Sequence, residues 1–429
     1  MKTKISLYMK RYYLWIAGFI FSFFLAKGQT SNSFDWPADI RFLKKELPKS
    51  HIDLFHKVSK KEFERMFLEI EQHCNSMSDL EVAMAIQKIL VKIGDAHTGL
   101  NFSKLFVDQG ILPLHLYWFS DGIYVLHTLP EFKEMLGCRI VNINGHPVQE
   151  LVDSLSTLMV FDNPSQIKAN IPKYIPGLGL LRAFGFCTGD TINVEVQSPA
   201  GISATYKMYA AKLDRKNRVM CLPDSINQIV KSENKLFDQF YYSKDSILYI
   251  LYNKCWSKEL EVQYKGAAAD KEVMLSFTEF QYDVMHAVSY YPFKKLVFDM
   301  RFNTGGSSEQ GTEFIQKLAA SPKVNQKGHL FVVIGRHTFS SAILNTMDFK
   351  ENTSAIFVGE DTGGRPNHYG ETKVLKLPSS GLSVTYSTKY FVRTKEDLPT
   401  IHPDQVVEIT FSDFKSGVDP VYEWIAGYK

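Results

Sequence analysis

Thr338-Phe339-Ser340-Ser341 sets two serines between a short apolar run, Leu330 to Ile334, and an apolar segment of helical length, Ala342 to Phe349. The first run is rich in β-branched and aromatic residues and reads as a buried strand. A serine at a strand-to-helix turn suits a nucleophile. The helix N-terminus offers free N–H groups and a favourable dipole to a developing oxyanion. The same position suits a helix cap, a role that Ser340 or Thr338 could fill. A possible base lies far upstream in Gly94-Asp95-Ala96-His97-Thr98, where Asp95 and Thr98 could fix the His97 ring by hydrogen bonds. Asn303-Thr304-Gly305-Gly306 follows another buried strand, Leu296 to Met300. Its glycines would let the backbone approach a ligand and turn N–H groups toward an anion, or simply make a tight turn.

Several elements must position these groups. Residues 29–104 read as a helical region. Phe63, Met66, Phe67 and Ile70 fall at helical spacing, and Ser78 with Glu81 forms a capping box for a second helix ending at Gly94. Residues 105–212 change to short strands. There Gly137 to Val148 reads as strand, Asn-Gly turn and strand before a helix over Val148 to Leu158. That pattern resembles the second half of a PDZ module, a class that binds peptide C-termini by strand addition. Residues 213–245 have mixed polarity and read as a linker with a short helix. From Ser246 to Lys429 strands and helices alternate, which predicts an α/β core with a mostly parallel sheet. Sites in such sheets form in the loops at strand C-termini, where Gly305 and Ser340 both fall.

The chain has 429 residues, 45% of them hydrophobic, enough for two or three packed domains. Its five cysteines are scattered without CxxC spacing, so neither a disulfide framework nor a zinc site is indicated, and no cofactor is expected. Lys2, Lys4, Lys10 and Arg11 precede an apolar run, Leu14 to Ala26, and Ala26-Lys27-Gly28 offers a cleavage site before Gln29. Residues 1–28 therefore read as a signal peptide, giving a periplasmic or extracellular protein. Membrane contact is expected only if that segment stays uncleaved. Its removal takes away five basic residues and no acid, so the formal charge falls by five, from +3 to −2. With no basic patch interleaved with aromatics, nucleic acid is not an expected partner.

Taken together the motifs resemble a known family. Asp299-Met300-Arg301-Phe302-Asn303-Thr304-Gly305-Gly306 looks like the DLRxNxGG strand and loop of the C-terminal-processing (tail-specific) serine peptidases. Thr338-Phe339-Ser340-Ser341-Ala342 looks like their nucleophile turn, and Gly359-Glu360-Asp361-Thr362-Gly363-Gly364 like their GExTxG loop. Gly94-Asp95-Ala96-His97-Thr98 is similar to the GDxHT motif of the tricorn-like branch. The resemblance spans nearly the whole mature chain and implies a crotonase/ClpP-like core, a PDZ-like domain and an N-terminal helical domain. Where the processing branch carries its lysine base, this chain has Arg365, which stays protonated and cannot act as a base. The resemblance then implies Ser340 as nucleophile and His97 as base, with Ser341 the alternative nucleophile. Gly305 or Gly306 with Ser341 would supply oxyanion N–H groups. Asp397 or Glu396 would orient His97, unless Lys395-Glu396-Asp397 is only a solvated loop. The implied partner is a protein or peptide substrate. The interphotoreceptor retinoid-binding protein resembles the same fold, so an inactive relative that binds peptides or lipophilic ligands is the second reading. Asp299 and Arg301 read as a structural pair, and Lys389 as an exposed strand lysine.

Overall fold

The computed structural model describes residues 33–225, 228–232, 234–266, 269 and 274–429. The expected signal peptide and cleavage site lie outside these. The helical region is as expected. Trp36–Ser50, Lys60–His73 and Asp79–Ile93 pack through Ile40, Leu43, Phe63, Phe67, Ile86 and Leu90, and the Ser78–Glu81 capping box is formed. Gly94 closes the third helix in the left-handed conformation, at φ 76°, which turns the chain sharply into the Asp95–Thr98 loop.

The middle region is an antiparallel sheet with His115–Phe119 on its edge, and the Asn144-Gly145 turn carries positive φ at both residues. The core is a six-stranded sheet. Its strands lie in the order Gln405–Val406, Ile356–Gly359, Leu330–Ile334, Lys295–Asp299, Ile247–Tyr252, Phe237–Tyr242. All neighbours are parallel except the last pair. The central strands are buried on both faces, as helices on both sides require. Leu248, Ile250, Phe298 and Val332 meet Phe280, Phe314 and Phe349 on one side. Tyr249, Val297, Phe331 and Val333 meet Val421 and Ile425 of the C-terminal helix Pro420–Gly427 on the other.

Two expectations are corrected here. Phe237–Tyr242, placed in a linker, is the antiparallel edge strand of the core sheet, so the core begins before Ser246. The mostly parallel sheet expected from Ser246 onward does not take in every later strand: two, over residues 368–376 and 383–391, stand apart from it. They are a hairpin, His368–Lys376 with Ser383–Phe391, in a separate three-stranded sheet. The third strand is Gly99–Asn101, which directly follows His97 and pairs with Ser383, Val384 and Thr385. That pairing ties the histidine loop to the half of the molecule that carries Ser340.

Candidate active site

Ser340 stands between the strand Leu330–Ile334 and the helix Ser341–Asn352. It occupies the N-cap position, yet its side chain makes no capping bond. Its backbone lies at φ 58°, ψ −126°, a region that non-glycine residues avoid at a cost of roughly 1–3 kcal/mol. The turn is pinned by its neighbours. Thr338 Oγ1 donates to the Met300 carbonyl at 2.9 Å and accepts the Gly335 N–H at 3.0 Å. The Phe339 N–H donates to the Asn303 carbonyl at 3.1 Å, and the Gly364 N–H to the Thr338 carbonyl at 3.2 Å. Thr338 is therefore a turn-holding residue, and Ser340 is left half-buried beside it. Arg336, in the same turn, forks onto Glu360 of the GExTxG-like loop at 2.6 Å and also donates to the Trp118 carbonyl of the edge strand.

His97 Nε2 lies 3.0 Å from Ser340 Oγ. Its ring stacks on Phe339 with centroids 4.6 Å apart and planes at 21°, so the residue before the serine sets the imidazole's plane. His368 stacks on the same ring's neighbourhood at 6.0 Å and is held through Nδ1 by the Arg365 carbonyl at 2.9 Å. Burial, then the nearby His97, pushes His368 down to about 4, so it stays neutral. Burial also lowers His97 below the usual imidazole value, while the Asp95 charge and the Tyr369 backbone pull it back up. At Nδ1 itself no hydrogen bond of good geometry forms, so the Tyr369 backbone acts there only as a nearby dipole.

The carboxylate beside His97 is Asp95, not the expected Asp397 or Glu396. Asp95 Oδ1 accepts the His97 backbone N–H at 2.8 Å and sits 3.9 Å from Nδ1. Its Oδ2 accepts from Thr98 Oγ1 at 2.5 Å and from His51 Nε2 at 3.0 Å. His51 Nδ1 accepts the Asp53 N–H, which leaves Nε2 as the protonated, donating nitrogen. Burial alone would raise the Asp95 pKa, but the bonds from His51, Thr98 and the His97 backbone outweigh it and hold it at about 2. Asp397 instead pairs with Arg365 at 2.7 Å, with its own side chain 66% exposed. Glu396 contributes its backbone carbonyl to Thr394 and Asn367 rather than a carboxylate to His97. His51, His368 and Arg336 carried no signal in the sequence, because each acquires its partner only through tertiary contact.

The glycine loop lies against the nucleophile. A Cβ on Gly305 would fall 2.8 Å from Ser340 Cβ and 3.0 Å from the Ser341 nitrogen. The Gly305 N–H, one of the expected oxyanion donors, is already taken by Asn303 Oδ1 at 2.9 Å. No protein acceptor among the described residues takes the N–H of Gly306 or Ser341. The Ser341 hydroxyl donates to the Gly306 carbonyl at 2.8 Å, which turns it away from His97 and onto the loop. Asp299 and Arg301 are structural, as read: Arg301 is buried between Asp299, Asp419 and the Tyr249 hydroxyl. Lys389 is exposed and pairs with Glu371 at 3.7 Å.

No protein-family model matches the sequence, and no curated protein is a significant match. Solved structures do match. Mature CPAF complexed with lactacystin superposes with a TM-score of 0.59 at 12% identity, over 91% of this chain and 96% of that one. Mature CPAF alone gives 0.59 at 11%, over 91% and 95%. This chain has the CPAF fold. The photosystem II D1 C-terminal processing protease also aligns, over 90% of this chain and 98% of that one, at 14% identity and a TM-score of 0.40. What is shared with CPAF at these identities is the fold.

Proposed function

We propose that this chain is an exported serine peptidase that hydrolyses peptide bonds through Ser340 and His97. The observation that carries the reading is the 3.0 Å contact between His97 Nε2 and Ser340 Oγ. His97 takes the hydroxyl proton as Oγ attacks a peptide carbonyl carbon and the C–O bond forms. The N–H groups of Gly306 and Ser341 receive the oxyanion, each such donor being worth roughly 3–4 kcal/mol. The imidazolium then protonates the leaving amine as the C–N bond breaks. Water, deprotonated by His97, releases the acyl group as a carboxylate. Asp95, ionised and 3.9 Å from Nδ1, steadies the imidazolium by charge rather than by a hydrogen bond. Export rests on the basic start and the apolar run Leu14 to Ala26. Among the described residues no helix is long and apolar enough to cross a membrane.

A fluorophosphonate probe tests the mechanism. Wild-type protein is expected to label covalently, with the adduct on Ser340 by mass spectrometry, and Ser340→Ala to stay unlabelled. The CPAF structure makes lactacystin a second probe. One observation favours a non-catalytic, ligand-binding reading: His97 Nδ1 has no acid bonded to it. That reading predicts an unlabelled wild-type chain.

A further inference from the structure

Lys254 lies just past the C-terminal end of the strand Ile247–Tyr252, on the same edge of the parallel sheet as Ser340. Its Nζ donates to Thr304 Oγ1 at 2.5 Å. Thr304 is exposed and directly precedes Gly305, whose α-carbon abuts Ser340. The neighbouring residue, Cys255, bonds the same loop: its N–H donates to the Gly305 carbonyl, and its carbonyl accepts the Ser307 N–H. The residue after the lysine is thus anchored to the same glycine loop, just past the side-chain contact. Among the described residues no carboxylate pairs with Lys254, whereas Lys44 and Lys92 pair with glutamates and Lys295 and Lys323 donate to backbone carbonyls. Burial lowers its pKa with no nearby carboxylate to restore it. The ammonium keeps two N–H donors beyond the one given to Thr304, and the Thr304 hydroxyl, acting as acceptor there, keeps its own proton to donate.

We propose that Lys254 and Thr304 form a subsite for a substrate carboxylate next to the scissile bond. The group is an Asp or Glu side chain or the terminal carboxylate of the peptide. A half-buried cation held on the glycine loop that abuts Ser340, without a counter-charge, is costly unless an anion arrives with the substrate. The subsite rests on the peptidase reading above. It adds a preference that neither the Ser340–His97 pair nor the glycine loop requires. Lys254 is a specificity-determining residue here, and the oxyanion itself stays with the N–H groups of Gly306 and Ser341.

The test is a cleavage profile. Wild type, Lys254→Met and Lys254→Glu digest one mixed peptide library, with cleavage sites read by mass spectrometry. Wild type is expected to favour a carboxylate at one fixed position by about fivefold, the scale of one partly exposed ion pair. Lys254→Met loses the preference, and Lys254→Glu shifts it to Lys or Arg at that position. C-terminal amidation of the peptides separates the two sources. If amidation removes the preference, the terminal carboxylate is the ligand; if internal Asp and Glu sites persist, the side chain is. Cleavage by all three proteins with one unchanged profile overturns the subsite and leaves the peptidase standing. A uniform loss of rate across all sites also overturns it, because the lysine would then act on the oxyanion. No cleavage by wild type overturns the peptidase reading, and the subsite with it.

Discussion

The turn that carries Ser340 is built from its own neighbourhood, whereas the loop that carries His97 is placed by strand pairing with Ser383, Val384 and Thr385. Around Ser340 the bonds run to Asn303, Met300, Gly335 and Gly364, all at the ends of adjacent core strands. Around His97 they run to Asp95 and, through Asp95, to His51 of the helical region. Ser340 is thus a feature of the core sheet. His97 is delivered by a second unit whose docking must be right to within about half an ångström to keep the 3.0 Å contact. A defect in the core removes the serine's strained geometry, while a defect in docking leaves the serine intact and idle.

The largest effects should come from removing either member of the Ser340–His97 pair. Ser340→Ala and His97→Ala are each expected to lower kcat by about 10⁴-fold or more, and the double variant to lose little beyond either. Ser341→Ala, which removes a bond to the Gly306 carbonyl, should cost about tenfold, as a missing loop contact would. Steady-state hydrolysis of an unfolded protein measures all four. Additive losses in the double variant would mean that serine and histidine do not act as one unit.

Next in size is a core-side change that leaves both side chains in place. Gly305 has φ 92°, and a Cβ there would press on Ser340 Cβ and on the Phe339 carbonyl at 2.9 Å. Gly305→Ala is expected to cost about 10²-fold in kcat, the scale of a displacement of about 1 Å at the reacting atoms. Fluorophosphonate labelling should slow with it. Unchanged labelling would show that the glycine loop and the nucleophile turn are not in register.

The contrast between the two regions also explains what the sequence could and could not disclose. Motifs around Ser340, Gly305 and Gly359 are local, so each could be read from contiguous residues, and the family resemblance put them together. The capping box at Ser78 and the stop at Gly94 are equally local, and they delivered the His97 loop. The acid was different. Asp397 and Glu396 had the right interval, but no interval shows that Arg365 captures the Asp397 carboxylate. His51, contributed by the end of the first helix, becomes a partner of Asp95 only once the helices pack. Phe237–Tyr242 escaped notice because Asp238 and Gln239 break the apolar run that marks the other core strands. An edge strand has one open side and tolerates them.

On the histidine side the expected losses are smaller and discriminate between acids. Asp95→Asn should lower kcat/KM by about 10–100-fold, because the imidazolium loses its only close charge. The acid limb of the pH–rate profile should move to lower pH, since Asp95 raises the His97 pKa. Asp397→Asn should change neither rate nor profile by more than about twofold, as expected for an exposed ion pair. A larger loss for Asp397→Asn than for Asp95→Asn would restore the downstream acid to the site.

The smallest effect is on stability, and its sign follows from burial. Burial first, with neighbouring positive charge second, holds His127, His337 and His368 near 4, and burial also lowers His97. In the unfolded chain each returns to about 6.5, so below that pH the unfolded state binds more protons and folding stability falls. Asp95 works lower on the scale. With its pKa at about 2 when folded, its contribution is complete above about 4 and fades only as the pH drops further. Urea unfolding between pH 7.5 and 4.5 should therefore report these histidines set against Asp162, whose burial raises its pKa to about 7 and so favours the folded state as the pH falls; the histidines outnumber it, and the midpoint should drop across that interval. His368→Phe keeps the ring stack but removes one titrating group, so it should flatten the slope while leaving the pH 7.5 midpoint nearly unchanged. A slope unaffected by that substitution would mean that His368 takes up its proton without opening the stack beside His97, and that the two regions are less tightly docked than the 3.0 Å contact implies.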